Sequence, residues 1–169
     1  MNSKALESKW QKKWEKAKVF ESEPKDSQDK YFVNCPYPYM NGYLHLGHAF
    51  TYLRADMVSR YQRMKDKNVL FPFAFHCTGT PIVAAAQRVK EGEKIQINAL
   101  KQMGLDDKLI EKFSDPEEWT KHFPDKAIED LKRFGSSIDW RRSFITTSLN
   151  PPYDKFIRWQ FNQLLKNDY

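Results

Sequence analysis

Two histidines, His45 and His48, stand three residues apart in the stretch Tyr37-Pro38-Tyr39-Met40-Asn41-Gly42-Tyr43-Leu44-His45-Leu46-Gly47-His48. At a helix start that spacing puts both rings roughly on one face. Imidazoles there can donate hydrogen bonds to phosphate oxygens, and a glycine between them lets a ligand pack against bare backbone. As a bare pair, His-x-x-His is also compatible with accident or with metal ligation. A zinc site needs three or four convergent ligands, and His45, His48, His76 and Cys77 show no familiar ligand spacing, so no metal site is expected. Spacing reveals neither a Ser/His/Asp nor a Cys/His arrangement. Cys35 and Cys77 read as buried small hydrophobes rather than catalytic thiols. Arg141, Arg142 and Arg158 are able to bind RNA phosphates, although arginines on a solvated face are the commoner case. His122 reads as structural or exposed.

The elements around the pair make a place for phosphates. Tyr31 to Cys35 reads as a buried strand, and a proline-broken loop follows it. Leu53, Met57, Tyr61 and Met64 then mark a long helix with that stripe facing the core, ending near Asp66 and Asn68. Val69 to Phe75 is almost continuously apolar, which suits a strand covered on both faces. Strand, helix, strand predicts a right-handed βαβ unit with parallel strands. Free N–H groups at a helix N-terminus after a strand attract anions. Ligands of such sheets bind outside the carboxyl ends of the strands, here Cys35 and Phe75. The stretch His76-Cys77-Thr78-Gly79-Thr80-Pro81 is therefore expected to face the same site as His45 and His48.

Elsewhere, Leu6, Trp10, Trp14 and Ala17 predict an N-terminal helix over 3–18 whose stripe docks on the rest of the domain. Residues 21–30 form a polar connection with Pro24. An alanine-rich helix is expected over 82–91. Short helices follow at 95–103, 108–113, 117–122 and 125–134, punctuated by Gly104, Ser114-Asp115-Pro116 and Phe123-Pro124. Residues 138–146 read as a short extended segment broken at Arg141-Arg142. Asn150 before Pro151 caps a last helix. The organisation read from this is an N-terminal helix and connection over 1–30, then an α/β parallel-sheet domain over 31–169 with a helical insertion at about 94–134.

The totals set broader bounds. The chain has 169 residues, 40% of them hydrophobic and 15% aromatic, enough for one folded domain with a real core. A formal charge of +6 permits contact with RNA without demanding it. Two cysteines give no disulfide framework and suit a reducing compartment. The first residues carry charge where a signal peptide has its apolar core, and no run reaches the roughly 20 apolar residues of a membrane span. A cytoplasmic protein without a membrane partner is the expectation.

The stretch from Pro36 to His48 resembles the first signature of the class I aminoacyl-tRNA synthetases, and within them the archaeal and eukaryotic cytosolic leucine type. Leu70-Phe71-Pro72-Phe73-Ala74-Phe75-His76-Cys77-Thr78-Gly79-Thr80-Pro81-Ile82 is similar to a second block of that type. A third is Asp139 to Thr147 with Arg158-Trp159-Gln160-Phe161. The resemblance implies the first half of a Rossmann-like catalytic domain with ligase activity. Leucine and ATP, the latter as its Mg2+ complex, would form leucyl-adenylate, and tRNA(Leu) would then accept the leucyl group. Carried over by position, His45 and His48 would be catalytic. Asn41, Gly42, His45, Gly47 and His48 would bind ATP, and Tyr37, Tyr39 and His76 would line the leucine site. His76 stands where bacterial relatives have an aspartate, a weaker partner for the leucine ammonium. The family's lysine-rich second signature, editing domain and anticodon-binding domain have no counterpart here, so activity is expected only with that C-terminal remainder. Three rival readings stay open: an inactive ATP-binding or partner-binding module, a ligase for isoleucine, valine or methionine, and a nucleotidylyltransferase.

Overall fold

The computed structural model describes residues 3–169. They form two compact units, one of residues 3–38, 43–73 and 123–143, the other of 39–42, 74–122 and 144–169.

In the first unit, α1 (Ser3–Lys16) leads through an irregular connection to β1 (Lys30–Phe32), α2 (Leu46–Met64) and β2 (Asn68–Leu70). β1 and β2 pair in parallel, Tyr31 opposite Val69. The expected βαβ unit is there. The expected buried strand over 31–35 is shorter and less covered: β1 ends at Phe32, which is 63% exposed, and only Val33 and Cys35 just beyond it are buried. The expected continuous strand over 69–75 divides into β2 and β3 (Ala74–Phe75). Pro72 lies in the gap and has no N–H for a ladder.

The connection over 21–30 forms no regular element, yet its start is pinned. The Ser22 N–H donates to the buried Asp139 carboxylate at 3.0 Å, and the Ser22 hydroxyl lies 2.6 Å from Asn68 Oδ1. Burial raises the pKa of Asp139, but the bonds from Arg141 and the Ser22 N–H outweigh it and hold the carboxyl below its ordinary value. α1 begins as expected and stops at Lys16; Leu6 and Trp10 remain largely exposed, so the stripe docks chiefly through Trp14, which tilts against Phe20.

α2 reverses one expectation. Its apolar stripe does not face the core: Leu53, Met57, Tyr61 and Met64 are exposed, Met57 at 62%. The packed face is Tyr52, Asp56 and Ser59, with Arg63 in line. Asp56 accepts from the Ser137 N–H at 2.5 Å and from Arg60 Nε at 2.7 Å. Arg63 donates to the Ser137 hydroxyl at 2.8 Å and to its carbonyl at 3.0 Å. The irregular backbone at 135–137 presents polar groups to α2, and only polar side chains can satisfy them.

In the second unit β3 pairs in parallel with β4 (Phe144–Ile145). Around them are α3 (Thr80–Lys90), α4 (Lys94–Gln102), α5 (Asp107–Lys112) and α7 (Pro151–Lys166). Asn150 is the N-cap of α7, as its sequence suggests, but its side chain donates backward to the Ile145 carbonyl at 3.2 Å.

α6 (Pro116–Phe134) is one helix where two were expected, with Pro124 inside it. Trp119, Phe123, Ala127 and Leu131 recur every four residues on both sides of Pro124, and all are buried. That stripe outweighs the one backbone bond that proline removes, which with its clash costs about 3 kcal/mol.

The polar face of α2 can be tested by denaturation. Asp56→Ala leaves the buried Ser137 N–H unpaired and is expected to lower unfolding stability by about 2–3 kcal/mol. Met57→Ala, on the outer stripe, is expected to change it by less than about 0.5 kcal/mol. Equal losses in urea unfolding would return the stripe to the core.

Candidate active site

His45 is the N-cap of α2, in an extended conformation with φ −129° and ψ 175°. Its Nδ1 accepts from the Gly47 N–H at 3.1 Å, and the His45 N–H donates to His48 Nδ1 at 3.2 Å. This is a capping box with imidazoles in place of the usual hydroxyl and carboxylate. It has a chemical consequence. A ring nitrogen that accepts carries no proton, so each neutral ring holds its proton on Nε2. The two side chains thus offer two Nε2–H donors at the positive end of a 19-residue helix with no acidic residue in its first turn.

The ring centroids of His45 and His48 are 4.0 Å apart. Burial lowers the pKa of His48, and the neighbouring His45 lowers it further. Gly47 serves the rings directly. A Cβ there would stand 3.0 Å from His45 Cε1 and 3.1 Å from its Nδ1. The space that the sequence reading reserves for ligand is taken by the His45 ring itself.

The same unit supplies a support that sequence reasoning missed. Tyr52 stacks on His48 at 5.9 Å and meets Phe73 edge-on at 5.0 Å. Tyr37 lies edge-on to Phe73 at 6.1 Å. Tyr37 is thereby joined to the histidines through Phe73 and Tyr52. The spacing of His48 and Tyr52, one helical turn, could have pointed to this. Burial raises the phenol pKa of Tyr52 well above its ordinary value, so the ring stays neutral. Burial also pushes the thiol of Cys35 to about 11 and that of Cys77 to about 12, so both are protonated at neutral pH and pack as small apolar groups.

The second unit holds Tyr39, Asn41, Gly42 and His76. Tyr39 stacks on the His76 imidazole at 4.0 Å, and the two residues form a parallel bridge in which the Met40 N–H donates to the His76 carbonyl at 3.1 Å. The Thr78 hydroxyl lies 3.3 Å from His76 Nδ1. Gly42 packs on Met103, whose Cε a Cβ would approach to 3.1 Å. Asn41 is exposed. His122 sits edge-on to Phe113 at 5.5 Å. Arg141 and Arg142 are engaged with Asp139 and Glu23, and Arg158 with Asp154.

A helix start with donors held outward, after a parallel strand, is a place where anions bind. The family model described as tRNA synthetases class I (I, L, M and V) matches residues 9–169, and the chain belongs to that family. Within it the chain is 49% identical over 166 residues to a leucine–tRNA ligase of Aeropyrum pernix, covering 98% of this chain and 17% of that one. It is 51% identical over 141 residues to a probable cytoplasmic leucine–tRNA ligase of Encephalitozoon cuniculi, covering 80% and 16%. The cytoplasmic leucine–tRNA ligase of Pongo abelii is 40% identical over 209 residues, covering 94% and 18%. The chain thus spans about a sixth of the length of the curated relatives it matches. Its fold matches the LeuRS of Agrobacterium radiobacter K84, solved as a ternary complex with tRNA and LeuAMS, with a TM-score of 0.72 and 23% identity. That match covers 96% of this chain and 18% of the other.

His48 is expected to titrate below the ordinary value of about 6.5 in an imidazole NMR titration. Its neutral form favours the fold, so that stabilisation is complete above the ordinary pKa and is lost as pH falls through the lowered one. A His48 pKa at or above the ordinary value would contradict the capping box. Gly47→Ala is expected to displace the His45 ring, visible as loss of the distinct His45 environment in the same spectra.

Proposed function

We infer that this chain carries part of the active site of a leucine–tRNA ligase and works with the remaining sequence of the enzyme. The reaction is ATP-dependent formation of leucyl-adenylate, followed by transfer of the leucyl group to the 3′ end of tRNA(Leu). The observation that carries this reading is the imidazole capping box, which leaves two neutral Nε2–H donors at the start of α2.

ATP enters as its Mg2+ complex. A leucine carboxylate oxygen attacks the α-phosphorus, the bond to the β-phosphate bridging oxygen breaks, and pyrophosphate leaves. Negative charge grows on the phosphate oxygens as this happens. The Nε2–H groups of His45 and His48 and the dipole of α2 meet that charge without reorganising, because the cap already fixes the rings. Gly47 acts by making room for His45, and Asn41 and Gly42 offer loop backbone to the nucleotide. Tyr37 and Tyr39 line the leucine side chain. His76, stacked on Tyr39, serves the amino group through a ring nitrogen in place of a carboxylate. No covalent enzyme intermediate is needed, so catalysis rests on position and charge.

The identities to archaeal and eukaryotic leucine–tRNA ligases support leucine as the amino acid. Among the described residues no helix is long and apolar enough to cross a membrane. The names of the Pongo and Encephalitozoon relatives support the cytoplasm as the place of action.

Leucine-dependent ATP–pyrophosphate exchange, measured with the chain joined to the rest of the enzyme, tests the assignment. Leucine is expected to drive exchange, while isoleucine, valine and methionine do not. His45→Ala or His48→Ala is expected to slow it by about 10²–10³-fold. Tyr39→Ala is expected to raise the KM for leucine with little effect on that for ATP. Exchange at wild-type rate in both histidine variants would remove the phosphate role. ATP binding without any exchange would favour the inactive binding module.

A further inference from the structure

Each imidazole of the cap is held by one hydrogen bond at Nδ1, and one bond fixes a point rather than a plane. The torsion that turns an imidazole on its Cβ has broad preferences, so a ring bonded only at Nδ1 can still pivot. Such a pivot carries Nε2–H, on the other side of Cε1, away from any fixed direction. The two donors are therefore aimed only as well as their ring planes are held.

His45 has Gly47 beside it, where a Cβ would stand 3.0 Å from its Cε1, and the His48 ring at 4.0 Å. His48 needs a second contact besides His45. Along α2 it stands between residue 45, three positions before it, and residue 52, four positions after it, and those spacings make neighbours on one helix face. Tyr52 supplies that contact. Its ring lies 5.9 Å from that of His48 with the planes 18° apart. Tyr52 is itself fixed: it is 3% exposed, and the fully buried Phe73 meets it edge-on at 5.0 Å and 88°. So deeply buried a ring acts through His48 rather than on a ligand.

We propose that Tyr52 is a positioning residue for adenylate formation: its ring fixes the plane of the His48 imidazole and thereby the direction of the Nε2–H donor. This rests on the ligase reading, in which His48 meets phosphate. The phenol hydroxyl has no part in it. What counts is a flat, immobile ring at this place, which leucine or methionine can replace in volume but not in shape.

The test is a double-mutant cycle at residues 48 and 52, read by leucine-dependent ATP–pyrophosphate exchange with the chain joined to the rest of the enzyme. Tyr52→Leu is expected to lower kcat about tenfold, less than loss of the donor itself, with the KM values for leucine and ATP within about twofold of wild type. Tyr52→Phe is expected to keep the wild-type rate. In a His48→Ala background Tyr52→Leu is expected to cost nothing further, because the donor it aims is gone. A side chain that merely supports the fold would cost the same in both backgrounds. Tyr52→Met replaces the leucine variant if that one melts below the assay temperature. Equal losses in both backgrounds, Tyr52→Phe as slow as Tyr52→Leu, or wild-type kcat in Tyr52→Leu beside a slow His48→Ala would overturn the positioning role alone. His48→Ala at wild-type rate would overturn the phosphate role, and that of Tyr52 with it.

Discussion

The position of α2 depends on one buried carboxylate. Asp56 receives the Ser137 N–H and the Arg60 guanidinium, and Arg63, two turns further along α2, closes on the same serine. Helices normally dock through an apolar stripe and tolerate error in rotation, because the hydrophobic effect has no direction. Hydrogen bonds do have direction. A helix keyed by Asp56 and Arg63 has its rotation about its own axis set, and with it the direction of everything at its N-terminus. His45 and His48 are there. The arrangement has a cost in burying a charge, which is tolerable only because Asp56 is paired with Arg60 and bonded to backbone at once.

Under the proposed function the imidazole cap meets two needs with the same atoms. A helix start has N–H groups without partners, and a phosphate site needs donors held in place. Ser or Asp at the N-cap would satisfy the first need and add nothing to the second, and an acidic side chain would repel phosphate. His45 and His48 give their Nδ1 lone pairs to the backbone and keep Nε2–H outward. The lowered pKa of His48 fits this use, since protonation at Nδ1 would break the bond from the His45 N–H. Gly47 completes the device through its missing side chain, because any Cβ would meet the His45 ring.

Much of this was legible in the sequence, and the parts that were not share a cause. The parallel βαβ order, the helix start at the histidines and the cap position of Asn150 follow from local patterns, which carry their own physics. The rotation of α2 does not. Periodicity finds an apolar face, but whether that face meets protein depends on what the rest of the fold presents, and here the segment 135–137 presents backbone polar groups. Pro124 misled for a related reason: one residue announces a break, while the buried stripe that overrides it is spread over Trp119, Phe123, Ala127 and Leu131. Pro72 acted as its type predicts and divided β2 from β3. Of the candidate site, the residue types at 45, 47 and 48 were readable, whereas the tautomers and the ring that fills the space beside Gly47 required coordinates.

The aromatic series Tyr37, Phe73, Tyr52, His48 ties a residue proposed to line the leucine site to one proposed to meet phosphate, within a single unit. Each contact is edge-on or stacked, with rings that turn about few bonds, so the series resists shear better than aliphatic side chains would. Preorganised donors contribute most when they need not move as charge develops. In this frame the buried Phe73, which carries no polar group, sets the geometry on which the polar groups act.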